Sequence, residues 1–87
     1  MHTVELLEES LQVAQQLGFQ VRHEWLGQGG GGACEFGGQK WMFVDLALNT
    51  IEQLDQVVEA LQNEPGIHTI ELREELRELF ELRRRAA

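Results

Sequence analysis

Five of the six residues from Gly27 to Gly32 are glycine, and a run of this kind cannot be held in a helix or strand. Each glycine gives up more backbone freedom on folding than any other residue and supplies no side chain to pack. The chain is therefore read as two patterned halves joined by an irregular loop over residues 27–32. Immediately after the loop, Ala33–Phe36 and Gln39–Leu46 flank Gly37-Gly38, which suits a two-residue primed turn. That hairpin sets Phe36 opposite Gln39, Glu35 opposite Lys40, Cys34 opposite Trp41 and Ala33 opposite Met42. The Glu35–Lys40 pair supports the register, because opposite charges directly across a ladder are mildly favourable. From Trp41 to Leu46 both faces are apolar apart from Asp45, the pattern of a central strand covered on both sides.

The halves on either side are helical at their outer ends. Thr3 is placed as an N-cap, and Val4, Leu7, Leu11, Ala14 and Leu17 recur at spacings of three and four up to Gly18, predicting an amphipathic helix over 3–18. The period then changes to two: Phe19, Val21, His23 and Trp25 share one face, predicting a strand over 19–26. Beyond the hairpin strands, 33–36 and 39–46, Asn49 and Thr50 are good caps with Glu52 and Gln53 as capping-box partners. Ile51, Leu54, Val58 and Leu61 form the seam of a helix over 50–63, which Pro65-Gly66 ends. Residues 67–70 read either as an extended edge segment, a fourth strand, or as a connector. Leu72, Leu76, Leu79 and Phe80 mark a last helix over 70–85, whose Arg83, Arg84 and Arg85 complement the negative end of its dipole. The expected fold is a single α+β domain in the order α-β-β-β-α-α, with a three-stranded, mostly antiparallel sheet covered by helices.

Size and charge narrow the function. A chain of 87 residues holds one core and buries only roughly 60–65% of the surface of its unfolded form, so association with a partner is a natural supplement. One cysteine allows no intrachain disulfide and no cysteine-built zinc site. Fifteen acidic residues against seven basic ones give a formal charge of −8, which opposes binding to nucleic acid. There is no apolar run of membrane-spanning length and no signal-peptide pattern after Met1, so the expectation is a cytoplasmic protein with no membrane partner.

Several motifs admit a chemical reading. Gly27-Gln28-Gly29-Gly30-Gly31-Gly32 satisfies G-x-G-x-x-G, but a dinucleotide site needs a helix opening at the third glycine, and a strand follows here. Walker A fails as well, since Gly38 rather than Lys follows Gly37. What remains is a flexible loop, with Gly29, Gly30, Gly31 and Gly32 as candidate anion-binding backbone. Cys34 reads as a small buried hydrophobe, or as a reactive thiol if His23 lies beside it. Asp45 reads as a strand-end acceptor toward the Leu48–Thr50 turn, or as a general base. The three histidines His2, His23 and His68 have no metal-site spacing, so neither metal nor cofactor is expected.

The stretch Gly38–Asp45, followed by Asn49-Thr50 and the Ile51–Leu61 helix, resembles the strand–turn–helix unit of zincin-like metalloprotease domains. Where those families carry His-Glu-x-x-His, residues 57–61 read Val-Val-Glu-Ala-Leu, so the resemblance implies a related scaffold without a metal site. The leading functional expectation is a non-enzymatic, self-associating interaction or accessory domain. Its contact surface would use Trp25 and Trp41 with Leu76, Leu79 and Phe80 of the last helix, which holds more apolar residues than one seam needs. The alternatives are a ligand-binding or thiol-dependent protein built on Gly29–Gly32, Cys34 and Asp45, and a metal-free zincin-like scaffold with a peptide groove along a sheet edge.

Overall fold

The computed structural model describes residues 2–27 and 30–86 and has the expected α+β order. Helix α1 (Thr3–Gln16) is followed by strands β1 (Phe19–Glu24), β2 (Gly32–Phe36) and β3 (Gln39–Asp45), and then by helices α2 (Thr50–Gln62) and α3 (Glu74–Ala86). The sheet runs β1-β3-β2, so β3 is central, as its two apolar faces imply. It is mixed: β2 pairs antiparallel with β3, and β1 pairs parallel with it. Hairpin register is as the sequence indicates, with Glu35 opposite Lys40 and Cys34 opposite Trp41. Gly37 and Gly38 have φ of 62° and 75°, the left-handed pair that a primed turn requires.

The parallel pairing follows from the route of the glycine-rich segment. β1 and β3 end side by side, Glu24 against Asp45, while β2 begins opposite Phe43 on the other side of β3. The chain must therefore pass over the C-terminal end of β3 to reach the far edge. Gly31 is tightly flanked. A Cβ there would lie 2.4 Å from Gln56 Oε1 of α2 and 3.0 Å from the Phe43 carbonyl oxygen, so a larger residue would displace the Gln56 side chain and crowd the β3 backbone.

Helices α1 and α2 pack on the same face of the sheet. Leu7, Val13 and Ala14 of α1 and Leu54, Val57, Val58 and Leu61 of α2 close over Phe19, Met42 and Val44. α2 starts with a full capping box: the Glu52 amide donates to Asn49 Oδ1 at 2.8 Å, and the Asn49 amide donates to Glu52 Oε1 at 3.0 Å. α1 starts one residue earlier than a Thr3 cap implies, since His2 occupies the cap position and makes no side-chain cap.

Residues 67–70 form no fourth strand. Pro65–Thr69 is a 3₁₀ turn, with the Thr69 hydroxyl donating to the Gly66 carbonyl at 2.7 Å and Ile67 buried. α3 consequently begins at Glu74 rather than at residue 70. It lies against α1 and α2, and Leu76 and Phe80 enter the core with 1% and 3% of their surface exposed.

The second apolar face of β3 is where the sequence-based picture needs correcting. Among the described residues no helix packs on it, and Trp41 and Phe43 are half-buried among side chains of the sheet itself.

Candidate functional site

Alternation along the three strands sorts their side chains into two sets. Phe19 and Val21, with Met42 and Val44, face the helices. Gln20, Arg22 and Glu24 of β1, Gln39, Trp41 and Phe43 of β3, and Gly32, Cys34 and Phe36 of β2 share the uncovered face by register. On this face the Phe36 and Trp41 rings stack 5.7 Å apart, and Trp41 stacks on Phe43 at 6.1 Å. The Arg22 guanidinium sits 5.9 Å from the Trp41 ring centroid, and it donates to Glu24 Oε2 at 2.7 Å, so these two opposite charges offset each other. Phe36 remains 56% exposed, and Trp25, just past the end of β1, is 77% exposed. The Trp41 Nε1 donor is buried without an acceptor.

The candidate interface residues therefore divide. Trp25 and Trp41 lie at the surface or on the open face. Leu76 and Phe80 are core residues, and Leu79 is packed partly against the core, so α3 presents its apolar seam inward. What α3 offers outward is mostly polar, Leu82 at 61% exposure apart, and its Arg83 fork meets Asp55 and Glu59 of α2. Phe36 and Phe43 were missed as surface residues because a hairpin strand does not reveal from sequence which of its faces the helices will take.

The proposed thiol chemistry finds no geometry. Cys34 is exposed rather than buried, in contact range of Trp41 across the ladder. His23 is on β1, opposite Val44, with the whole of β3 between it and Cys34. β2 has one neighbouring strand, β3, and the residue opposite Cys34 there is Trp41 rather than a base.

Asp45 is likewise a structural acceptor, with partners other than the Leu48–Thr50 turn. Its Oδ1 accepts the Ala47 amide at 2.9 Å and the Leu26 amide at 3.1 Å. It thereby pins the first step of the glycine-rich segment to the end of β3. The Ala47 amide, joined by those of Gly27 and Leu26, holds its carboxyl below the ordinary carboxylate range, against an opposing effect of burial. The side chain is fully buried. Of the candidate loop glycines, Gly30 and Gly31 adjoin this crossing and Gly32 opens β2, while Gly29 lies outside the described residues. Among the described residues no group of three or more His, Cys, Asp and Glu side chains is arranged to hold a metal ion. No described helix is long and apolar enough to cross a membrane.

No family model, curated protein or solved structure matches the chain.

Proposed function

We propose that this protein is a non-enzymatic interaction domain that self-associates through the open face of its sheet. The observation that carries the reading is the stacked row Phe36–Trp41–Phe43 on a face that no described helix covers. A monomeric sheet ordinarily turns its polar side to water, and an exposed aromatic row on it marks a contact surface.

A second copy suits this face on charge. The helices carry ten of the fifteen carboxylates of a chain with net charge −8, so the helical surfaces of one copy repel those of another. The open face is the exception, with Arg22 paired to Glu24, Asp45 fully buried at its end, and otherwise only neutral side chains. Stacking two such faces extends the burial of Trp41 and Phe43 without bringing like charges together.

Sedimentation equilibrium and native mass spectrometry of the full chain, beside Phe36→Asp, test the reading. Phe36 is an exposed strand residue, so its substitution is expected to leave the far-UV circular dichroism unchanged. The dimer should weaken roughly tenfold or more, as loss of a central aromatic anchor does. A wild-type chain that stays monomeric up to high micromolar concentration overturns the proposal, as does a dimer indifferent to Phe36→Asp.

A further inference from the structure

The two edges of the sheet are not equally protected. An edge strand presents unpaired backbone N–H and C=O groups, and folded proteins blunt such edges with charge, proline, bulges or cover. β1 carries Arg22, His23 and Glu24 in succession. β2 has no proline and no basic residue, its single charge is Glu35, and its residues from Ala33 to Phe36 are all exposed.

Beside this edge, on the helix side, runs a trough. One cleft of about 410 Å³ lies between Gly32 and Ala33 on the strand side and Gln56, Glu59 and Asn63 of α2. A second, of about 240 Å³, continues from the same Ala33 along Glu35, Lys40 and Glu64. Its charge is one-sided. Lys40 is turned away from Glu35: its Nζ bonds the Glu64 carboxylate and donates to the Leu17 carbonyl at 3.1 Å. Glu35 is consequently exposed with no ion partner among the described residues. Glu59 is exposed too, and shares Arg83 with Asp55 at 3.3 Å. Gln56 Oε1, at the wall of the trough, is buried with no hydrogen-bond donor among the described residues.

We infer that the β2 edge and the trough beside it dock an extended, lysine- or arginine-bearing peptide segment, added to the sheet as a fourth strand. The segment's backbone bonds the free side of β2, and every second side chain points toward α2. There a cationic side chain meets Glu35 and Glu59 in charge-assisted contacts. A second copy's β2 fits this edge poorly, because two-fold antiparallel pairing brings the Glu35 and α2 carboxylates of both copies together.

The test is titration of the ¹⁵N-labelled full chain with the synthetic peptide Lys-Val-Lys-Val-Lys-Val-Lys. The same peptide with Glu in place of Lys, and a version with a central Pro, serve as comparisons. Saturable shifts in the amides of residues 32–36, with slowed hydrogen exchange there and no response to the comparison peptides, are expected. Glu35→Lys is expected to weaken binding roughly fivefold or more, with Glu35→Gln in between and high salt acting in the same direction. Four results overturn the inference: no saturable shift, an equal response to the Glu peptide, binding indifferent to Glu35→Lys, or shifts confined to the open face or to α3. Shifts at residues 32–36 that grow with protein concentration alone also overturn it, since the occupant is then a second copy.

Discussion

Asp45 interrupts the most apolar strand of the chain, and its surroundings explain why a carboxylate stands there. The segment leaving β1 must be fastened to the end of β3 before it crosses, and one oxygen accepting the Leu26 and Ala47 amides does this from a buried position. Because those donors favour the ionised form, the native carboxyl titrates below its unfolded value. The stability so gained is complete above the unfolded carboxylate value, about pH 4, and is lost as pH falls through the lower native value. Urea unfolding of wild type and Asp45→Asn should therefore differ at neutral pH and converge in acid. A gap that is constant or widens in acid would sink this account. The acceptor role was legible in the sequence, as a polar residue at a strand end. Its partners were not, because Leu26 arrives from a distant strand whose pairing is set only by the tertiary route of the loop. The exposure of Cys34 was hidden for a similar reason: it depends on β2 lying at the edge of the sheet, where side chains on both of its faces are exposed.

At the scale of elements, α3 shows how far an amphipathic pattern can be read. Its heptad-like apolar positions identify the helix, yet they do not say whether the seam meets the same chain or another one. Here it meets the same chain. Gln62 of α2 ties the two helices by donating to the Phe80 carbonyl at 2.7 Å and accepting Arg83 Nε at 3.2 Å. At the other end Arg73 pairs with Glu9 of α1. Phe80→Asp is thus expected to lower stability by about 3–5 kcal/mol, as loss of a buried aromatic does, with a buried charge added to it. For a domain of this size that approaches the whole folding free energy. Thermal unfolding followed by circular dichroism checks it: a variant that melts within a few degrees of wild type would show that α3 is dispensable to the core. The capping box of α2, by contrast, was legible at full detail, because Asn49 and Glu52 are local partners three residues apart.

For the molecule as a whole, the sheet joins a short-range pairing to a long-range one. Gly37-Gly38 closes β2 on β3 across two residues, whereas β1 reaches β3 only when residues 19 and 40 are brought together around the entire glycine-rich segment. Closing a long flexible loop costs more entropy than closing a tight turn. The order of events in folding follows from this asymmetry. The hairpin forms early and offers a ready template, and β1 with α1 docks onto it late. Substitutions at the turn should then act mainly on the folding rate, and substitutions on β1 mainly on the unfolding rate. Stopped-flow measurements on Gly38→Ala and Val21→Ala distinguish the two, and slower folding for Val21→Ala alone would reverse the order. The glycine run therefore sets a timetable as well as a path. By making β1 the last strand to arrive, it leaves the hairpin a brief interval with the outer flank of β3 unpaired as well as that of β2, when crowding by other chains is most hazardous.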